Sequence, residues 1–197
     1  MLNASMYVTS ETLPNGHRLL IRATEPNDDL ASAIERGVSP KSFFYRFLQP
    51  KHYLTDKEIA PFTNCDFVRQ VALVGLVRHN LRMAIVAGAR YWITKADEAE
   101  IAFLVADAYQ RQGIGTAMLN HLCSIARQAG IRHLYALATP DNEGASRLLK
   151  KLGLPCDIRS DPAQRMMNIT VHLTGTAPTG TAKETRLADE PSQPSKA

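Results

Sequence analysis

The sequence predicts a single α/β domain in which a mixed central sheet has helices on both of its sides. The segment from Glu100 to Ala129 is typical of a strand, a glycine loop and a helix in succession. The apolar runs Val71–Val77 and Ile131–Ala138 predict further strands before and after it. Helix start signals stand on both sides of this central part, so strands and helices alternate through the chain.

The elements before Val71 are short. Residues 18–22 predict a first strand. Three helices are then expected, because each starts with a polar cap that is followed by apolar residues at helical spacing. They run from a cap at Asn27–Asp29 to Gly37, from Ser39 and Pro40 to Pro50, and from the capping box at Thr55–Glu58 to about Phe62.

The elements after Val77 return to strands. Arg82–Ile93 predicts the antiparallel return of the buried strand, with Gly88 as its expected bulge. After the central helix and Ile131–Ala138, a helix is predicted at Ala145–Leu152. Met167 to Leu173 alternates apolar and polar residues, which predicts a last strand with one face in water.

Composition divides the chain into three parts. Residues 1–17 are polar and predict a flexible N-terminal arm, residues 18–173 the folded domain, and residues 174–197 a disordered tail rich in Thr, Pro, Ser and Gly. The 197 residues carry a net charge of +4. The tail is neutral, so the excess positive charge lies on the domain, where it suits a polyphosphate ligand.

Several classes of function are disfavoured. Lys and Arg form no run interleaved with aromatic residues, which argues against nucleic acid as a partner. The three cysteines form no CxxC pair, so we expect neither a metal nor a disulfide framework, and a reducing cytoplasm is the expected compartment. No apolar run has the length of a membrane span, and the N-terminus lacks the apolar core of a signal peptide.

The loop from Gln110 to Gly115 has the character of an anion site. A helix start presents N–H groups without intrahelical partners, and glycine lets a phosphate approach the backbone. Arg111 adds a full charge. A pyrophosphate site and a plain turn that uses glycine for its backbone freedom are equally compatible with the spacing. Two common phosphate motifs do not fit, since Met118 replaces the third Rossmann glycine and the chain has no Gly-Lys pair.

The same loop resembles the acetyl-CoA loop of the GNAT acetyltransferases, Q/R-x-x-G-x-G/A, at Gln110, Gly113 and Gly115. Downstream, Asn142-x-x-Ala145-x-x-Leu148 resembles the helix that closes the cofactor site of that family. The two motifs stand in the family's order and at its separation. The resemblance implies a GNAT-like domain with acetyl-CoA as co-substrate and without a metal.

A closer resemblance extends over about residues 18–173. The segment SFFYRFLQP after Ser39-Pro40, then Leu54-Thr55-Asp56, Phe62–Asp66 and Ala99–Phe103, is similar to the Pat-type bacterial protein lysine acetyltransferases. These enzymes transfer acetyl groups to amines, often to a lysine of an enzyme such as an acyl-CoA synthetase. The resemblance places the general base on Glu100, and burial in an apolar strand would raise its pKa toward a useful range. Glu98 shares its strand face, and either could be a solvated strand-end charge.

The resemblance also implies the cofactor contacts. They are the strand backbone at Leu104, Val105 and Ala106, the loop residues Gln110, Arg111, Gln112, Gly113, Ile114, Gly115 and Thr116, and the pantetheine neighbours Asn142 and Ser146. Three of these residues have a simpler interpretation. Arg111 could be a solvated loop charge, Asn142 could cap its helix, and Ser146 suits plain surface.

One departure from the family concerns the general acid. Many GNAT enzymes have a tyrosine where this chain has Leu149. Tyr109 and Tyr135 do not match the motif and are expected to pack. Three functions follow as hypotheses: a protein lysine acetyltransferase, a small-molecule amine acetyltransferase, and a non-catalytic module that binds acyl-CoA.

Overall fold

Eight strands and five α-helices make up the described part of this computed structural model, residues 3–50 and 53–173. The strands are β1 (Val8–Thr12), β2 (Arg18–Ala23), β3 (Gln70–His79), β4 (Arg82–Lys95), β5 (Glu98–Val105), β6 (His133–Ala138), β7 (Cys156–Asp161) and β8 (Met166–His172). The helices are α1 (Leu30–Gly37), α2 (Pro40–Phe47), α3 (Asp56–Thr63), α4 (Ile114–Gln128) and α5 (Glu143–Lys150). One mixed sheet joins the strands in the order β1-β2-β3-β4-β5-β6-β8-β7, which confirms the predicted fold class.

The sheet opens on one side of β5. Strands β5 and β6 run parallel and pair over three positions, the last of which joins Glu100 to Tyr135. Beyond that pair, β5 continues beside β4 to Val105, while β6 continues beside β8 to Ala138. The two strands therefore diverge, and a gap, here named the strand cleft, forms at their carboxyl ends.

Helix α4 covers one face of the sheet. Met118 and Leu122 are almost fully buried there, and Met118 packs beside Gly75 of β3. Cys123 on the same helix is 2% exposed, and burial raises the pKa of its thiol to about 11. Its apolar surroundings confirm the prediction that Cys123 belongs to the core.

Helices α1 to α3 lie on the opposite face, and their predicted caps form. Asp29 accepts a hydrogen bond from the Ser32 N–H at 3.1 Å. Ser39 caps α2 in the same way, and Thr55 with Glu58 completes the capping box of α3. Helix α2 ends earlier than predicted, because Leu48 adopts a left-handed conformation with φ of 54°.

The N-terminal segment differs from the expected flexible arm. It forms β1 on the edge of the sheet, and Ala4, Tyr7 and Leu13 are buried around it. The Tyr7 hydroxyl lies 2.6 Å from Nδ1 of His121, which ties the segment to α4. The side chains of β1 are themselves mostly exposed, so the sequence carries no alternation that reveals the strand. The predicted disordered tail, residues 174–197, lies outside the described residues.

Two further details of the sheet differ from expectation. Strand β7 was not predicted, because its side chains are largely exposed and it pairs with β8 at the sheet edge. The bulge of β4 falls on Val86 rather than Gly88, since Gly75 pairs with Ala87 and Leu76 with Ile85. No helix within residues 3–50 and 53–173 is long and apolar enough to cross a lipid bilayer.

Candidate active site

Glu100 lies where the strand cleft begins. Its strand neighbours Ala99 and Ile101 are buried toward α4, so its side chain points to the opposite face, which α1 to α3 cover. Trp92 of β4 and Tyr135 of β6 are its two partners in the strand pairing. Glu100 is half-buried between these two aromatic residues.

The surroundings of Glu100 shift its titration. Burial raises the pKa of its carboxyl above the ordinary value, and this effect exceeds the opposing ones. The Tyr135 hydroxyl and the positive charges of Arg46 and Arg90 favour the ionised form and lower that pKa in part. The result is a carboxylate that accepts a proton more readily than a solvated glutamate.

Glu98 differs from Glu100. Its carboxylate forms a salt bridge of 2.8 Å with the exposed Lys95, near the turn between β4 and β5. The sequence allows either glutamate to be a solvated strand-end charge, and in the structure Glu98 has that position. Glu100 has no such exposed lysine partner within 4.0 Å among the described residues.

Tyr135 was expected to pack, and in its half-buried position on β6 it also affects Glu100. Its hydroxyl acts on the Glu100 carboxylate, and burial together with the charge of Glu100 raises the pKa of Tyr135. Tyr109 does pack against the core, as predicted. Position in the strand pairing was the missing information, because only the register of β5 and β6 shows that residue 135 faces residue 100.

Sequence reasoning also missed Arg46 and Arg90. Arg46 projects from α2 and Arg90 from β4, and both guanidinium groups stack on the ring of Phe62, at 5.5 and 4.5 Å from its centroid. Arg90 also stacks on Trp92 at 4.5 Å. No short motif joins these residues, since they converge only through the packing of α2 and α3 on the sheet.

An enclosed pocket lies beneath these side chains, between the sheet and α1 to α3. Its cavity volume is about 70 Å³. Arg46, Arg90 and Ala102 line it near Glu100, and Leu104 and Ala106 line it toward the predicted cofactor loop. Most of its remaining wall is aliphatic, from Leu30, Ala33, Ile34, Val38, Ala72, Val74, Ile85 and Val86.

Gln110 organises the predicted cofactor loop. Its side-chain Nε2 is 3.1 Å from the carbonyl oxygen of Val105 and 3.0 Å from Oδ1 of Asp107. Oγ of Ser42 on α2 also lies within 3.3 Å. These contacts hold the loop against the end of β5, so the Gln110 side chain positions the loop.

The backbone of the loop leaves several donors free. The N–H groups of residues 112–116 hydrogen-bond to none of the described residues, and the Ala117 N–H makes the first bond of α4, to Gly113. Gly113 has φ of 90°, and a Cβ there would lie 3.0 Å from the ring of Pro14. Arg111 is exposed beside these donors. Successive free N–H groups at a helix start form an anion site.

The second motif forms the start of α5. Asn142 caps α5, because its Oδ1 accepts a hydrogen bond from the Ala145 N–H at 3.1 Å. A Cβ on Gly115 would lie 2.8 Å from Leu148, so the glycine permits the close approach of α4 and α5. Ser146 is half-exposed. Leu149 is fully buried and points into the core.

Helix α2 spans the two sides of the strand cleft. Ser42 contacts Gln110 on the β5 side, and the Tyr45 hydroxyl donates to Oδ2 of Asp141 at 2.9 Å on the β6 side. Next to the second contact lies an open groove. It is lined by Phe44 and Leu48 of α2, by residues 139–141, and by the turn between β7 and β8.

Metal-binding side chains are dispersed. Within residues 3–50 and 53–173, no three His, Cys, Asp or Glu side chains converge as a metal site would require. Cys65, Cys123 and Cys156 are free thiols. His133 and His172 contact each other at 3.1 Å, and Asp157 accepts from the far nitrogen of His172.

Known proteins share this architecture. The sequence model of the acetyltransferase (GNAT) family matches residues 41–154. The GNAT domain of S. lividans PAT superposes with a TM-score of 0.74 at 29% identity, over 84% of this chain and 96% of that one. Acetyltransferase PA5475 of Pseudomonas aeruginosa is 26% identical over 73% of this chain and 78% of its own length.

A third relative was solved with a ligand. The structure of yncA from Salmonella typhimurium, described as a putative acetyltransferase with its cofactor acetyl-CoA, superposes with a TM-score of 0.61. It is 18% identical and covers 83% of this chain and 99% of its own. At that identity the likeness concerns the fold alone.

Proposed function

Because the chain belongs to the acetyltransferase (GNAT) family, we propose that it transfers an acetyl group from acetyl-CoA to a primary amine, with Glu100 as general base. The observation that carries this proposal is the position of Glu100. A half-buried carboxylate with a raised pKa stands where β5 and β6 begin to diverge. The gap between diverging strands leaves backbone groups of β5 free to hold an extended ligand.

The cofactor loop supports the same proposal. The free N–H groups of residues 112–116, the charge of Arg111 and the N-terminus of α4 fit a pyrophosphate. The strand residues Leu104 to Ala106 lead from this loop toward Glu100. Asn142 and Ser146, at the start of α5, complete the proposed set on the other side of the strand cleft.

The proposed chemistry is a direct attack on the thioester that acetyl-CoA supplies. Glu100 removes a proton from the acceptor ammonium, which leaves the neutral amine nitrogen able to form a bond to the carbonyl carbon. The carbon–sulfur bond breaks, the electron pair leaves on sulfur, and the new amide nitrogen loses its second proton to water. Leu149 donates no proton in the place where family members have tyrosine, and a thiolate leaves without one.

The proposed acceptor is a protein lysine, for example on an acyl-CoA synthetase, in the cytoplasm. The similarity to the GNAT domain of S. lividans PAT supports it. The open groove beside α2 supports it too, because Phe44 and Leu48 expose apolar side chains there, 39% and 37% accessible. Exposed apolar side chains beside a groove are typical of protein-binding surfaces.

The enclosed pocket favours a second candidate, a small-molecule amine as acceptor. Its aliphatic wall and two arginines combine apolar surface with a few polar groups, as small-molecule sites do. A non-catalytic module that binds acyl-CoA is the third hypothesis. It predicts binding without turnover of any acceptor.

Thermal unfolding with acetyl-CoA, CoA and ATP tests the proposal. A ligand at about 100 times its dissociation constant stabilises a protein by about 2.7 kcal/mol. We expect a shift with acetyl-CoA and CoA but not with ATP. Lysine peptides and free amines are then compared as acceptors, and product is measured by mass. Absence of a shift with every ligand, from folded protein, would reject the cofactor assignment.

A further inference from the structure

Arg46 and Arg90 form a pair of cations around one aromatic ring. Their guanidinium carbons lie 5.5 and 4.5 Å from the centroid of Phe62. Arg46 also stacks on Phe47 at 4.8 Å. These contacts fix both flat groups in place, and both line the enclosed pocket.

The pair has more positive charge than its surroundings neutralise. No carboxylate of the described residues lies within 4.0 Å of either guanidinium, and neither group hydrogen-bonds to a described residue. The charge of Glu100 acts on both from a greater distance. Cys65 stands near Arg90, and burial raises the pKa of its thiol, which keeps it neutral. Two cations therefore face one carboxylate.

Both arginine side chains are partly buried, so an opposite charge from a ligand would stabilise this arrangement. Removal of a charge from water is unfavourable when no opposite charge replaces the lost hydration. Burial and mutual repulsion lower the pKa of Arg46, which shows that the site disfavours its second cation. The aromatic contacts would be enough for a purely structural role. They do not use the guanidinium N–H groups, which therefore stay available to a ligand.

We propose that Arg46 and Arg90 bind a carboxylate group carried on an aliphatic part of the substrate. The guanidinium fork matches a carboxylate with two parallel hydrogen bonds. The aliphatic wall of the pocket suits the carbon chain that bears it. The inference rests on the proposed acyl transfer and names the chemical class of one of its two substrates.

Two sources can supply such a carboxylate. It is either the far end of a dicarboxylic acyl group on the CoA donor or a carboxylate of the acceptor near its amine. Both reach the pocket beside Glu100, because Arg90 pairs with Ala102 in the strand register, two residues from Glu100. Two matched substrate pairs distinguish these sources.

The test compares kcat/KM within each pair. The donor pair is succinyl-CoA and butyryl-CoA. The acceptor arm uses free amino acids with their carboxamides, and lysine peptides with a neighbouring Glu or Gln. We expect the acidic member of one arm to be favoured at least about tenfold, as charge-assisted hydrogen bonds provide.

Substitutions of Arg46 and Arg90 test whether the preference for the acidic substrate depends on these two residues. In Arg90→Gln and in Arg46→Gln the ratio should fall toward one, and Arg90→Lys should retain an intermediate ratio. Arg82→Gln is the matched control, because Arg82 lies exposed at the other end of β4 and should leave the ratio unchanged. Calorimetry gives the dissociation constants for the same pairs, and CoA is present when acceptors are measured. The ratio of affinities for the acidic and neutral members then reports the preference without turnover.

Two results would overturn the inference. One is a wild-type ratio near one in both arms, and the other is a preference that survives both arginine substitutions. Turnover of the neutral members with a ratio near one would reject the carboxylate site and leave the proposed acyl transfer intact. If the wild-type protein turns over no member of either pair but still binds the acidic member more tightly, the proposed acyl transfer is rejected and the carboxylate site stands.

Discussion

Tyr135 faces Glu100 at the last parallel pair of β5 and β6, and its hydroxyl favours the ionised form of the Glu100 carboxyl. The two strands separate immediately after this pair. The proposed general base and the hydroxyl that lowers its pKa therefore stand at the apex of the strand cleft. The register of β5 and β6 fixes Glu100 and Tyr135 opposite each other, because a shift of either strand would break their pairing.

Replacement of Tyr135 by Phe should shift the pH dependence of activity. The Tyr135 hydroxyl lowers the pKa of Glu100, so its removal raises that pKa. Glu100 must be ionised to accept a proton, so the acidic limb of kcat/KM against pH should move to higher pH. Tyr109→Phe is the control. An acidic limb that stays in place would show that Tyr135 does not tune the base.

Gly113→Ala should impair both folding and the loop. Its φ of 90° disfavours a side chain, and a Cβ would meet Pro14 at 3.0 Å. We expect a loss of about 1–2 kcal/mol in unfolding free energy, measured by urea denaturation. Gly130→Ala is the matched control, because Gly130 has φ of 84° with nothing within 4 Å of its Cβ. Weaker acetyl-CoA binding should appear in Gly113→Ala alone, and equal affinity in both variants would contradict the assigned loop.

Leu149→Tyr should not restore the missing general acid. Leu149 is fully buried, so a larger polar side chain at this position overpacks the core. We expect destabilisation by about 1–3 kcal/mol and no gain in kcat. A stable variant with a higher kcat would show that residue 149 can reach the reacting sulfur.

Tyr7→Ala tests the docking of the N-terminal segment. Tyr7 is 7% exposed and contacts His121, so truncation should cost about 3 kcal/mol. Met6→Ala, at a position 72% exposed, should change stability by less than about 0.5 kcal/mol. Chemical denaturation of both variants decides the point. Equal stability would indicate a loose arm, as the sequence alone suggests.

Local signals in the sequence predicted most of the helices and the central strands. The caps at Asp29, Ser39 and Asn142 depend on residues within three positions of each other, so they can be identified without tertiary information. The buried strand β3 can likewise be identified from its continuous apolar run. The sequence does not predict the edge strands β1 and β7, because their exposed side chains show no hydrophobic alternation.

The candidate site divides in the same way. The glycine loop and Glu100 lie in one continuous segment with a known pattern, and they could be proposed from the sequence. Arg46, Arg90 and Tyr135 come from a helix and two other strands. Their meeting depends on how α2 packs and on the strand register, neither of which residue spacing contains.

Glu100→Gln, measured beside Glu98→Gln, tests the central claim most directly. Both changes remove one carboxylate from the same strand face, and Glu98 already has Lys95 as its partner. We predict that Glu100→Gln retains acetyl-CoA affinity by calorimetry and loses at least about tenfold in turnover of an amine acceptor, while Glu98→Gln retains both. Unchanged turnover in Glu100→Gln would contradict the assignment of Glu100 as general base.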